Sequence, residues 1–231
     1  MTVESPSLQE RLESGGAAEH GTSAGNGASH GRAVANYYRW HAPIYDLTRW
    51  SFLFGRQRLL LEAAARLNSP RRLLEIGVGT GRNLAWLHRR WPEACCTGVD
   101  LSPGMIQQAR RRFGSDHPQI TLVEAAFDRQ LLPEAQDLIV LSYVLTMAGP
   151  ARQALIAEAL ASLAPGGLLA VVDFDDTPLP VWRHWMARNH VAVDGQLRPE
   201  LEAVAPAEWG RGGRAYAGLW RWFIHLHRRL P

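Results

Sequence analysis

One stretch constrains this chain more than any other: Leu73-Leu74-Glu75-Ile76-Gly77-Val78-Gly79-Thr80-Gly81-Arg82-Asn83, an apolar run that meets an acidic residue and enters a glycine-spaced turn. Arg72 to Ile76 is short and mostly apolar, as a strand buried on both faces should be, and glycines let a backbone turn tightly beside a ligand. After Gly81, Leu84, Leu87 and Trp91 recur at helical spacing, so the turn feeds a helix whose first N–H groups can face an anionic group. The next apolar run, Ala94 to Val99, ends in Asp100, placed about 20 residues on, where an open α/β site sets a carboxylate against ribose hydroxyls. Two acidic strand ends around one turn read as a nucleotide-cofactor loop.

The glycine spacing discriminates between cofactors. Gly77, Gly79 and Gly81 give G-x-G-x-G, and Arg82 stands where the dinucleotide fingerprint has its third glycine. With Glu75 two residues ahead of Gly77, the loop resembles the first motif of the class I S-adenosylmethionine-dependent methyltransferases. The resemblance extends through Val99-Asp100-Leu101-Ser102-Pro103-Gly104-Met105-Ile106, Asp137-Leu138-Ile139-Val140-Leu141-Ser142 and Leu163-Ala164-Pro165-Gly166-Gly167-Leu168-Leu169, in the family's order. It implies an α/β, Rossmann-like fold with a mostly parallel seven-stranded sheet, an antiparallel last strand and an N-terminal helical cap. It implies S-adenosyl-L-methionine as cofactor, with contacts from Glu75, Gly77, Gly79, Gly81, Asn83, Asp100, Leu101, Met105 and Ser142. After the third strand, Ile120 to Val123, the family usually has an acidic residue followed by a small one for the adenine amino group. Here the chain reads Glu124-Ala125-Ala126-Phe127-Asp128. Glu124 or Asp128 could serve, or Ala126 and Phe127 could meet the ring through backbone and stacking, and the latter pair is preferred.

A chain of 231 residues with 46% hydrophobic content can bury one sizeable core. No apolar run approaches the ~20 residues of a membrane span, and the N-terminus lacks an apolar signal core. The cysteines, Cys95 and Cys96, are adjacent and cannot form an ordinary disulfide; both are expected to pack as small apolar groups in a reducing cytoplasm. Formal charge is only +3, although all 25 basic residues are arginine, and a nucleic-acid partner is not expected.

Three regions follow. Residues 1–32 mix Gly, Ser, Ala and His with few large apolar side chains and read as a disordered tail. His20 and His30 have no partner at ligand spacing, and no metal site is expected anywhere in the chain. Residues 33–70 read as the helical cap over the cofactor and substrate site, with a helix from Gly55 to Leu67, and residues 71–231 as the Rossmann-like core. The cap carries Tyr37, Tyr38, Trp40, His41, Tyr45, Asp46, Arg49, Trp50 and Arg56, an aromatic run with interleaved Arg and His. From Trp40 to Arg56 it resembles a narrower group, the bacterial betaine-lipid N-methyltransferases, which methylate the amine of diacylglyceryl homoserine. That resemblance implies a lipid amine substrate, peripheral contact with the cytoplasmic face of the inner membrane, and the enzyme that makes diacylglyceryl homoserine as a partner. A proton acceptor for the amine is sought among Tyr45, Tyr143, His41 and Asp46, in falling order. Aromatic faces of Tyr37, Tyr38, Trp40 and Trp50 could hold a methylated ammonium, and Arg49 or Arg56 the homoserine carboxylate. Phosphatidylethanolamine or quinone-precursor methyltransferases, and a non-catalytic cofactor-binding scaffold, are the rival readings.

The rest of the core gives further expectations. Ser102 caps a helix with Pro103 in its first turn and Met105, Ile106, Ala109 and Phe113 as its buried stripe. A helix from Ala151 to Leu163 stops at Pro165-Gly166-Gly167, before a strand from Leu168 to Val172. Asp173, Asp175 and Asp176 then form a solvated cluster or touch the substrate ammonium. Trp182, Trp185, Met186 and His190 mark a helix that walls the substrate pocket. Trp220, Trp222, Ile224 and Leu226 alternate with Arg221, Phe223, His225 and His227, the spacing of a final antiparallel strand. Its arginines and the flanking glycine-rich stretch are expected to face lipid or substrate.

Overall fold

The computed structural model describes residues 53–230 apart from 115 and 116. Chain order is α1 (Arg56–Ala64), β1 (Arg72–Ile76), α2 (Arg82–Arg90), β2 (Cys95–Asp100), α3 (Pro103–Phe113), β3 (Ile120–Glu124) and β4 (Gln136–Ser142). It continues with α4 (Arg152–Ala161), β5 (Leu163–Phe174), α5 (Pro180–Arg188), α6 (Leu197–Val204), β6 (Trp209–Ala215) and β7 (Trp220–Arg228). The strands form one seven-stranded sheet in the order β3-β2-β1-β4-β5-β7-β6. β1 to β5 are parallel, while β7 runs antiparallel to β5 and β6 antiparallel to β7. The expected α/β fold, mostly parallel with an antiparallel end, is therefore present.

Strand periodicity sorts the core into two faces. Leu73, Leu138, Val140, Leu168, Ala170 and Val172 pack with Leu59, Leu60 and Ala63 of α1, Leu84 and Leu87 of α2, and Ile106, Ala109 and Phe113 of α3. Leu74, Ile76, Ile139, Leu141, Leu169 and Val171 point the other way, against Ile156 and Ala159 of α4 and Leu197 and Leu201 of α6. The α3 stripe and the Ser102 cap, whose hydroxyl accepts from the Met105 N–H at 3.4 Å, form as expected. The α1 helix packs as part of the sheet's covering layer, with three of its apolar side chains buried in that core.

Several expectations are corrected. α4 ends at Ala161 and β5 already begins at Leu163; Pro165 to Gly167 lie in an irregularity where pairing shifts from Gln136↔Leu163 to Leu138↔Leu168. β7 is not two-faced with a polar side. Its second face is covered by α6, so Phe223, which packs with Leu197 and Leu201, and also His225 and His227 are buried just as Trp220, Ile224 and Leu226 are. The glycine-rich stretch is the edge strand β6, and a Cβ at Gly213 would lie 2.3 Å from the Trp222 ring, so the indole needs that bare backbone. Arg221 and Arg228 do not face outward alone: they pair with Asp176 at 3.1 Å and Glu208 at 2.6 Å. Cys96 is buried but Cys95 is exposed, since neighbours on a strand point to opposite faces.

Candidate functional site

The glycine turn leaves β1 and reaches α2 in five residues. Gly77, Gly79 and Gly81 all have positive φ, of 70°, 53° and 75°. Gly77 has a second reason to be glycine, since a Cβ there would meet Val144 Cγ2 at 2.3 Å. The Cα of Gly79 faces open space, at the tip of the turn. Asp100 stitches this tip to the next element: its carboxylate accepts from the Gly79 N–H at 2.8 Å and from the Ser102 N–H at 2.9 Å.

Behind the turn a polar chain runs from α1 through α2 to β1. Arg56 of α1 donates to Asn83 Oδ1 through Nη2 at 2.8 Å and Nε at 3.3 Å, and Asn83 Nδ2 donates to Glu75 Oε1 at 2.7 Å. Burial raises the Glu75 carboxyl to about 7, against the opposing pull of Arg56, Asn83 and the Leu84 N–H. Its Oε2 and the Ser142 hydroxyl are buried oxygens without a partner among the described residues. Period-two alternation puts Glu75 with Leu73 and Ser142 with Leu138 and Val140, so both side chains leave adjacent strands on the same face.

The loop after β4 is held from below. Asp173, at the end of β5, is fully buried and accepts from the N–H groups of Leu145 at 2.9 Å, Thr146 at 3.3 Å and Phe174 at 2.8 Å, and from the Thr146 hydroxyl at 2.6 Å. Burial raises its carboxyl to about 6, with those four donors pulling the other way. The expected solvated cluster is thus corrected: Asp173 is an internal anchor, and Asp176 binds Arg183 at 2.9 Å and Arg221 at 3.1 Å. A carboxylate closing an unbroken apolar run, Leu168 to Val172, is the signal that it was destined for burial.

Tyr143 is also corrected as a candidate base. It is 1% exposed, has φ 59°, and its hydroxyl donates to the Phe54 carbonyl at 2.7 Å. Burial, with Asp173 adding in the same sense, pushes the phenol well above its ordinary range, so it keeps its proton. Arg56, read as a carboxylate clamp, is engaged by Asn83 beside the cofactor turn. Leu101 is exposed beside Asp100, Met105 is buried at the start of α3, Ala126 is exposed, and Phe127 packs partly into the second core face. Asp128 caps a short turn through the Gln130 N–H at 2.8 Å. Tyr37, Tyr38, Trp40, His41, Tyr45, Asp46, Arg49 and Trp50 lie outside the described residues. Among the described residues no group of three or more His, Cys, Asp or Glu side chains could hold a metal, and no helix is long and apolar enough to cross a membrane.

A family model described as a methyltransferase domain matches residues 73–167, the span from β1 to the strand β5. Over 199 residues the chain is 31% identical to a trans-aconitate 2-methyltransferase of Methylobacterium radiotolerans, covering 82% of this chain and 74% of that one. The chain belongs to the class I S-adenosylmethionine-dependent methyltransferases. A trans-aconitate 2-methyltransferase of Rhodopseudomonas palustris is 36% identical over 145 residues, 63% of this chain, and there the chain spans little more than half of the relative, 54%. In fold, it resembles the 1,6-didemethyltoxoflavin-N1-methyltransferase of Burkholderia thailandensis, solved with S-adenosylhomocysteine, with a TM-score of 0.66 at 16% identity over 93% of this chain and 94% of that one.

The methyltransferase's own residues fit the family's cofactor, S-adenosylmethionine. The unpartnered Glu75 Oε2 and Ser142 Oγ are acceptors that an ammonium group would satisfy, and the bare tip at Gly79 leaves room beside Asp100. Asp100, which already holds the tip of the turn and the start of the next element, is the acceptor that would meet the ribose.

Proposed function

We propose that this chain transfers methyl groups from S-adenosylmethionine to an amine at the C-terminal ends of β4 and β5, and that the acceptor is the amine of diacylglyceryl homoserine. The cofactor supplies an electrophilic methyl group, and the protein's part is alignment and exclusion of water.

One observation carries the amine reading: an unbroken wall of rings at that end of the sheet. Trp185 stacks on Trp182 at 4.8 Å and Trp182 on Trp220 at 5.6 Å, Trp220 meets Tyr216 at 5.0 Å, and Tyr216 meets Phe54 at 5.5 Å. Phe174 joins Trp220 to Tyr143. The ends of the wall, Phe54, Tyr216 and Trp185, are exposed. Exposed ring faces hold methylated ammonium groups by cation–π attraction, worth ~0.5–2 kcal/mol per contact, and also suit acyl chains. Phe54 belongs to the Trp40 to Arg56 run whose resemblance points to the betaine-lipid enzymes. With Tyr143 locked to Phe54, removal of the amine proton falls to Tyr45, His41, Asp46 or solvent. A lipid acceptor brings with it peripheral contact with the cytoplasmic membrane face and proximity to the enzyme that makes diacylglyceryl homoserine.

The names of the curated relatives favour a second reading, a polycarboxylate whose carboxylate oxygen is methylated. Such an acceptor needs arginines with donors to spare. Arg183 and Arg221 share the single carboxylate of Asp176 and keep donors beyond it, so this reading stands as the rival that the acceptor assay decides, and it is the ring wall that favours the amine.

The deciding assay offers methyl-labelled S-adenosylmethionine with diacylglyceryl homoserine in mixed micelles, and in parallel with trans-aconitate, phosphatidylethanolamine and a demethylated quinone. Stepwise label on the homoserine lipid is expected. Label on trans-aconitate alone would overturn the amine reading, and binding of cofactor with transfer to none of the four would favour a non-catalytic scaffold.

A further inference from the structure

We propose that Arg56 is a positioning residue for cofactor capture, which by holding Asn83 in one orientation keeps Glu75 turned, as an anion, toward the cofactor's ammonium group. The proposal rests on the reading of Glu75 as part of the S-adenosylmethionine site.

The argument is one of donors and acceptors. A guanidinium can only donate, so the Asn83 atom that receives both Arg56 N–H groups must be the amide oxygen. The amide nitrogen is then forced toward Glu75, where it donates to Oε1 at 2.7 Å. That bond fixes the carboxylate plane and leaves Oε2 as the oxygen without a partner among the described residues. Without Arg56 the amide could turn over, place its oxygen against Glu75 and favour a protonated carboxyl. The start of α1 is itself pinned, because the Tyr143 hydroxyl holds the Phe54 carbonyl two residues earlier. Arg56 is thus delivered to one place by the fold, 27 residues from Asn83 in sequence.

Among the described residues, the charged and titratable groups that act on Glu75 are Arg56 from α1, Asp100 from the end of β2 and Cys96 from within β2. Arg56 favours the anion and Asp100 opposes it, while burial is the largest influence and favours the neutral acid. A carboxyl poised at about 7 makes the effect of Arg56 visible in an ordinary pH range.

The test is calorimetric binding of S-adenosylhomocysteine to the full chain, wild type against Arg56→Gln and Arg56→Lys, from about pH 6 to about pH 9, with thermal unfolding as the check on folding. In the wild type, affinity should rise through about pH 7 as Glu75 loses its proton. If Arg56→Gln raises that carboxyl by about one unit, affinity falls about five-fold at pH 7 and less than two-fold at pH 9. Arg56→Lys keeps the charge but not the forked donors, and should recover part of the loss. The acceptor KM at saturating cofactor should not move. A loss of affinity independent of pH would mean a merely structural role and overturn the proposal. An unchanged cofactor affinity with a raised acceptor KM would restore Arg56 as a substrate clamp. A wild-type chain that binds no S-adenosylhomocysteine at any pH would instead sink the cofactor reading, and this proposal with it.

Discussion

Replacing Tyr143 with Phe removes a single oxygen and separates the two roles this residue could have. The hydroxyl donates to the Phe54 carbonyl at 2.7 Å in a place where the side chain is 1% exposed. The loss has two parts, a net hydrogen bond worth about 1 kcal/mol and a part-buried carbonyl left short of a donor, for a total of about 1–3 kcal/mol. The ring contact with Phe174, at 4.7 Å, survives because the ring itself is retained. For a domain of this size each kcal/mol moves the midpoint by roughly 2–4 °C, so a fall of about 2–12 °C is expected. Urea unfolding and thermal melting measure that. Turnover at saturating acceptor should stay within about three-fold of wild type, and the alkaline limb of its pH profile should not shift, since the phenol is protonated throughout. Any rise in KM would reflect a looser Phe54. The reasoning is refuted if Tyr143→Phe keeps wild-type stability but loses about 100-fold or more in turnover, which is the signature of a group acting on the proton.

Other outcomes follow from the same structure. Gly77→Ala should lose cofactor affinity and about 1–3 kcal/mol of stability, because its Cβ strikes Val144 and its φ of 70° disfavours a side chain. Adding Val144→Ala should recover the steric part only, as a melting series would show. His225 is held neutral by burial, its pKa lowered to about 4, and His227 is lowered for the same reason. A depressed histidine gives stability that is whole above the unfolded value near 6.5 and is lost as pH falls toward 4. The raised carboxyls of Glu75 and Asp173 act in the opposite sense over that window, so the test is the difference from wild type: His225→Phe should gain melting temperature relative to the wild type as pH falls toward 4, and a difference that does not change with pH would exclude the His225 contribution. Maleimide should label Cys95 in the native chain, whereas Cys96, buried and with its thiol pushed up to about 12, should react only after unfolding.

Local signals carried most of the core. The strand, turn and helix from Arg72 to Arg90 were legible because apolar run, glycine spacing and helical periodicity all lie within one short window. The same holds for α3, with cap, proline and buried stripe in twelve consecutive residues, 102–113. The end of the chain was harder. The alternation from Trp220 to His227 reads as a strand, but whether its second face is wet depends on what covers it, and the covering helix α6 is a separate element that only packing sets against it. The Pro165-Gly166-Gly167 stop was misplaced because breakers between helix and strand also fit an irregularity inside a strand.

The sequence by itself determined the family, the cofactor turn and the positions of Glu75 and Asp100, since a cofactor loop is a contiguous motif with obligatory glycines. Only the tertiary structure decided which side chains remain available for chemistry. Tyr143 is withdrawn by the carbonyl of Phe54, Asp173 by the loop after β4, and Arg56 by Asn83, each across 27 residues or more. Hydrogen-bond partners that distant are chosen by how the elements pack, and no pattern within one stretch of chain encodes them.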